Sequence, residues 1–121
     1  MKKWQRQRPV RRKLELLASI EDPGATHSPA VKTFGNIIAL DHGGLVVETG
    51  SSIRVGAAVT VRVVFPGQPR GNDPFARIHC SVRELSEDPS PHYDLAIVEM
   101  DEQSRDRLDS YLSQSGTNRW T

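Results

Sequence analysis

Apolar and polar residues alternate along two long runs in the middle of the chain. The first is AAVTVRVVF, residues 57–65, and the second is ARIHCSVREL, residues 76–85. A period of two is the pattern of a β-strand with one buried face. We therefore expect two strands whose inward-facing side chains are Val59, Val61, Val63 and Phe65 in the first run, and Ala76, Ile78, Cys80 and Val82 in the second.

Two further apolar runs flank a pair of glycines. Residues 31–40 and 45–50 lie on either side of Asp41-His42-Gly43-Gly44. Glycines between two apolar runs are typical of a β-hairpin turn. The pair also permits positive φ angles and a close approach of a ligand to the backbone. We therefore expect a β-hairpin whose turn, besides reversing the chain, lets a ligand approach the backbone.

Two segments are less regular. Residues 13–20, KLELLASI, alternate with strand period, but Val10, Leu14 and Leu17 would also share one face of a helix. We favour the strand, with the helix as the alternative. Residues 92–100, HYDLAIVEM, alternate less strictly, which is the pattern expected of a strand buried on both faces.

The period changes to that of a helix near the C-terminus. Asp101 is suited to cap the start of a helix, and its negative charge favours the positive end of the helix dipole. Leu108, Tyr111 and Leu112 then fall on one helical face. We expect this face to be buried and to cover one end of a barrel.

These elements together define a fold class. About six strands joined by short turns predict an antiparallel sheet that closes on itself, so the class is all-β with one C-terminal helix. With 121 residues the chain is long enough for one domain with a modest core. We assign residues 1–12 to a flexible basic arm, 13–115 to a barrel with its C-terminal helix, and 116–121 to a tail.

Charge is distributed unevenly between the arm and the remainder of the chain. Seven of the first thirteen residues are Lys or Arg and none is acidic. Because the whole chain has 16 basic and 15 acidic side chains, the remainder holds nine basic against 15 acidic ones and has a net charge of −6. A basic arm on an acidic body indicates interaction with an anion: nucleic acid, a nucleotide, a membrane surface or a partner protein.

Several classes of function are disfavoured by composition. Asp41 and His42 suggest a catalytic general base. No nucleophile or second carboxylate lies at a usable spacing from them, so we expect that the protein is not an enzyme. Four scattered histidines and the single Cys80 predict neither a metal site nor an internal disulfide. The chain lacks an apolar run of about 18 residues and a secretory h-region, so we expect no membrane span and a cytoplasmic location.

The order of these parts resembles the PilZ domain family. Arg8-Pro9-Val10-Arg11-Arg12 matches the family's RxxxR arm, and GNIIALDHGGLVVETG is similar to its [D/N]xSxxG hairpin, with Gly44 as the closing glycine. HYDLAIVEMDEQSRDRLDSYL is similar to the family's last strand and helix. The resemblance spans nearly the whole chain and implies a six-stranded antiparallel PilZ-like barrel.

The resemblance also implies a ligand, cyclic di-GMP, and an unidentified protein partner that receives the signal. Arginine suits this dianion because its guanidinium pairs with phosphate, meets guanine O6 and N7 in the same forked manner, and stacks on bases. No cofactor is expected beyond the ligand. The implied binding residues are Arg8, Arg11, Arg12, Asp41, Gly43 and Gly44.

The hairpin motif departs from the family pattern at two positions. With Gly44 aligned, Asp41 stands in place of the family's serine and Ala39 in place of its Asp or Asn. Asp41 could accept hydrogen bonds from guanine N1–H and N2–H, but it would repel a nearby phosphate. The alternative to a receptor is therefore a degenerate protein-interaction module that binds no nucleotide. Nucleic acid is a weaker alternative, because the body is acidic and no exposed aromatic platform is evident.

Overall fold

The computed structural model describes residues 16–24, 29–66, 74–87 and 90–115. The predicted arm, residues 1–12, and the tail, residues 116–121, lie outside the described residues. Within those ranges six strands form a closed antiparallel barrel in the order β1-β2-β3-β6-β5-β4, followed by one helix. The elements are β1 Leu16–Asp22, β2 Val31–Leu40, β3 Gly44–Glu48, β4 Ala58–Val63, β5 Ala76–Ser86, β6 His92–Met100 and α1 Glu102–Ser115.

The alternating runs become strands because each buries one face inside the barrel. The inward residues predicted for residues 57–65 and 76–85 are all buried, which confirms both strands. The N-terminal run is also a strand from Leu16 onward, and β1 pairs with both β2 and β4 to close the barrel. The helical alternative for that run is therefore wrong over its described part. The predicted all-β class with one C-terminal helix is confirmed.

Strand β6 differs from its prediction. Its outer positions are accessible, and Val98 keeps 67% of its surface exposed, so the strand is not buried on both faces. The irregular pattern has another cause. The pairing of β5 with β6 shifts register between His79 and Cys80, and a bulge of this kind interrupts strict alternation. An antiparallel barrel leaves one face of each strand toward solvent.

Helix α1 begins where the sequence predicts. The Asp101 carboxylate accepts a hydrogen bond from the Ser104 N–H at 2.7 Å, which satisfies one backbone donor of the first turn and lowers the pKa of Asp101. The Ser104 hydroxyl in turn accepts a hydrogen bond from the Arg77 N–H of β5 at 2.9 Å. These contacts fix the start of the helix against the barrel.

The apolar face of α1 closes one end of the barrel. Leu108, Tyr111 and Leu112 are buried in the same core cluster as the strands, as predicted. The Tyr111 ring stacks on Phe65 with centroids 4.9 Å apart. We call this the helix end. Because the strands are antiparallel, the start of β1 and the β2–β3 turn also lie there.

At the opposite end of the barrel, an ion pair holds the segment between β3 and β4 against β1. Arg54 donates from Nε to Asp22 Oδ2 at 2.9 Å and from Nη2 to Asp22 Oδ1 at 2.8 Å. The Gly24 N–H donates to the same carboxylate at 2.9 Å. Asp22 is buried, and these bonds, that from Arg54 first, lower its pKa.

We expect Arg54→Ala to reduce the free energy of unfolding at pH 7 and to do so less as the pH falls. A carboxylate with a lowered pKa stabilises the fold above its ordinary range, near pH 4, and that contribution disappears as pH falls through the lowered pKa. Urea denaturation between pH 7 and pH 2.5 measures the difference. Lys32→Ala, which removes an exposed pair with Glu21 at 3.8 Å, is the control and should change little. A deficit in Arg54→Ala that stays constant with pH contradicts this account.

Candidate ligand site at the β2–β3 turn

Asp41 organises the β2–β3 turn. Its Oδ1 accepts hydrogen bonds from the Gly43 N–H at 2.8 Å and from the Gly44 N–H at 3.0 Å. The Asp41 N–H donates to the Gly44 carbonyl at 3.0 Å. A short polar side chain that binds backbone two and three residues ahead is a common way to hold a turn. Asp41, which the sequence predicts as a ligand contact, therefore has a structural role in the turn itself.

The two glycines differ in their surroundings. Neither has a positive φ, which Gly24 and Gly56 do have, so the turn does not use the positive φ that the glycine pair permits. The Asp41 carboxylate holds the turn without that conformation. A Cβ on Gly44 would lie 2.7 Å from the Leu95 carbonyl oxygen of β6, whereas a Cβ on exposed Gly43 would come no closer than 3.6 Å to another group. Packing of β3 on β6 therefore requires glycine at position 44, and Gly43 is the more open of the pair.

We expect Gly44→Ala to lower the free energy of unfolding by about 1–3 kcal/mol, the usual cost of forcing an extra methyl into a filled space. Gly43→Ala is the matched control and should change stability by less than about 0.5 kcal/mol, because its Cβ has room and its φ suits an L-residue. Urea denaturation of both variants measures the difference. Equal stabilities for the two would show that the β6 backbone does not restrict position 44.

The turn also contacts the C-terminal helix. His42 Nε2 and Asp109 Oδ1 lie 2.9 Å apart, with both side chains exposed. The Gly43 carbonyl accepts a hydrogen bond from the Ile97 N–H of β6 at 3.0 Å. The turn is thus held between β6 and α1. Sequence reasoning missed Asp109, since 67 positions separate it from His42 and no motif connects them.

The outer surface beside the turn is apolar. Strand β2 has an irregular register between Ile37 and Ala39, and Ala39 then pairs with Val46 of β3. Val46 points outward, because its neighbours Leu45 and Val47 point into the barrel, yet only 7% of it is exposed. Gly44 pairs with Ala96 on the next row. We define the outer β2–β3–β6 face as Ile38, Ala39, Gly44, Val46 and Ala96.

Strand order places the start of β1 at the same end of the barrel as this turn. Leu16, the first residue of β1, pairs with Ile37 of β2 at the helix end. Arg12 precedes Leu16 by four positions, and an extended chain of that length reaches about 13 Å. The structure brings together the predicted Asp41, Gly43 and Gly44. The predicted arginines, Arg8, Arg11 and Arg12, lie outside the described residues.

We also searched the described residues for a cavity, a metal site and a membrane-spanning helix. A cavity of about 100 Å³ at the opposite end is lined partly by Ile20, Asp22, Ile53 and Arg54, and none of the predicted site residues lines it. In the described ranges, no group of three or more His, Cys, Asp or Glu side chains is arranged to hold a metal ion. The helix that the structure describes is too short and too polar to cross a membrane.

Comparison with known proteins supports the fold. No protein-family model matches the chain, and no curated protein sequence matches it. A solved structure described as the Bacillus subtilis inhibitor of motility MotI/DgrA is similar, with a TM-score of 0.61 and 19% sequence identity. The match covers 89% of this chain and 50% of that one, so this chain spans about half the length of the similar structure. At this identity the likeness shows a shared barrel fold and does not extend to function.

Proposed function

We propose that the chain is a cyclic di-GMP receptor domain that binds the dinucleotide between its arginine arm and the β2–β3 turn and passes the signal to a protein partner. The observation that carries the proposal is the shared position of the start of β1 and the turn at the helix end of the barrel. This arrangement leaves Arg12 within reach of the turn. The likeness of the barrel to PilZ domains adds support.

Two kinds of group contact the ligand in the proposed site: arginine side chains of the arm, and the backbone and Asp41 carboxylate of the turn. Guanidinium groups of Arg8 and Arg12 pair with the phosphates and guanine edges through forked N–H donors. The exposed backbone at Gly43 lies against the ligand from the barrel side. Asp41 uses Oδ1 in the turn, so Oδ2 is the oxygen directed to a guanine N1–H and N2–H edge. The phosphates then lie toward the arm, away from this carboxylate.

Nitrogen-15 NMR of the full chain during addition of cyclic di-GMP tests the proposal. We expect dose-dependent shifts at Ala39, Asp41 and Gly43 and in the arm. Amides at the opposite end, such as those of Arg54 and Gly56, should stay unchanged. Shifts confined to the opposite end, or none at high micromolar ligand, would reject the receptor function.

A second function, a protein-interaction module without nucleotide, has one specific observation in its favour. Ala39 and Val46 present no hydrogen-bonding side chain on the outer β2–β3–β6 face, where the family pattern has a polar residue. A protein surface suits such a face better than a polar dinucleotide. NMR titration of the parent chain and of Ala39→Asp tests this function. If only Ala39→Asp responds to cyclic di-GMP, the missing polar side chain at position 39 explains why the parent does not bind the nucleotide.

A further inference from the structure

The end of the barrel opposite the helix contains a cavity of about 100 Å³. The inner faces of β1 and β2 supply four of its lining residues, which are paired across the two strands: Ile20, Asp22, Val31 and Thr33. The segment between β3 and β4 supplies Ser52, Ile53 and Arg54. The mouth of a β-barrel is a common place for a ligand site. Because an apolar cavity of about 150 Å³ binds benzene, this smaller space suits a branched aliphatic group.

Most of the cavity wall is apolar. Ile20 and Ile53 are buried, whereas Val31 keeps 44% of its surface exposed at the rim. The Ile53 N–H donates a hydrogen bond to the Tyr93 hydroxyl at 3.0 Å, which fixes this part of the wall against β6. A wall that is already held in place binds a ligand without the cost of ordering its side chains. An aliphatic group placed against Val31 would remove apolar surface from water.

Arg54 brings a hydrogen-bond donor to the cavity. Its Nε and Nη2 donate to Asp22 at 2.9 and 2.8 Å, so a buried carboxylate fixes the guanidinium. Among the residues that the structure describes, Arg54 Nη1 has no hydrogen-bond partner, and 46% of the Arg54 side chain is exposed. Asp22 already compensates the positive charge and would repel a second carboxylate. The remaining donor therefore suits the oxygen of a neutral carbonyl group.

We propose that this cavity binds a branched aliphatic group bonded to a neutral carbonyl. The aliphatic group lies against Ile20, Val31 and Ile53, and the carbonyl oxygen accepts a hydrogen bond from Arg54 Nη1. A free small amide has this chemistry, and so does a valine-like side chain of a partner peptide with its neighbouring peptide carbonyl. The cavity lies at the other end of the barrel from the β2–β3 turn, so the inference does not depend on the proposed function.

Nitrogen-15 NMR of the full chain during titration with isobutyramide tests the site. We expect saturable shifts at the amides of Ile53 and Arg54, with a dissociation constant of about 1–10 mM for a ligand of this size. Val31→Thr replaces a methyl group with a hydroxyl and should weaken binding by about threefold or more. Val98→Thr makes the same change at an exposed valine of β6 and should bind as the parent does. No saturable shift at about 50 mM isobutyramide, or equal affinities for the two variants, would overturn the inference.

Three further probes test the class of ligand and its source. Acetamide lacks two of the aliphatic carbons and should bind about tenfold more weakly than isobutyramide. Isobutyrate has a negative charge and should also bind more weakly, because Asp22 repels it. Acetamide binding as well as isobutyramide, or isobutyrate binding more tightly, would reject the proposed chemistry. N-acetylvalinamide binding at least as tightly as isobutyramide would identify a peptide side chain as the source, whereas binding of isobutyramide alone would identify a free small molecule.

Discussion

We expect Arg12→Ala to weaken cyclic di-GMP binding by about ten- to a hundredfold. A hydrogen bond to a charged group contributes about 1.5–3 kcal/mol, and the proposed function assigns such bonds with the dianion to Arg12. Arg8→Ala should weaken binding by a similar factor. Fluorescence or calorimetric titration of each variant gives the dissociation constant.

The matched controls separate geometry from charge. Arg12→Lys keeps the charge but loses the fork of the guanidinium, so it should also weaken binding. Arg105→Ala removes an exposed arginine from α1, remote from the arm in sequence, and should bind as the parent does. An Arg12→Ala protein with parent affinity would show that the arm does not take part in the site.

The second large effect concerns the helix that closes the barrel. We expect Leu108→Ala to lower the free energy of unfolding by about 2–5 kcal/mol, because the side chain is fully buried at the helix end and its removal leaves a cavity. Urea denaturation followed by far-UV circular dichroism measures the loss. Ser110→Ala, two positions along the same helix and exposed, is the control and should change stability by less than about 0.5 kcal/mol.

A small effect of Leu108→Ala would contradict the packing. If the variant kept parent stability, α1 would not be part of the cooperative core, and the turn contact through His42 and Asp109 would have no fixed partner. We expect the variant to be destabilised and still to have the parent's far-UV spectrum in the absence of urea. The strands bury most of the remaining core, so the barrel can form without the Leu108 side chain.

The strands and the helix could be predicted because each has a period that matches one buried face. Val61 and Ile78 lie within the two alternating runs, and both are fully buried. Leu108 and Leu112 fall on one face of the helix that follows the Asp101 cap. These elements can be predicted from local patterns because the side chains that define each pattern are the ones buried in the barrel core.

Features that depend on contacts between distant segments could not be predicted. The His42–Asp109 contact joins two elements with no shared motif, and the register shift after His79 belongs to the pairing of β5 with β6. The requirement for glycine at position 44 arises from the Leu95 carbonyl of a strand 51 positions later. The sequence predicts that the turn is part of a ligand site. It does not predict that Asp41 holds the turn by accepting hydrogen bonds from two backbone N–H groups.

Calorimetric titration of the full chain with cyclic di-GMP tests the receptor function most directly. We expect a saturable heat in the parent protein, reduced affinity in Arg12→Ala, and parent affinity in Arg105→Ala. A parent protein that shows no heat at high micromolar ligand at two temperatures, while remaining folded, would contradict it.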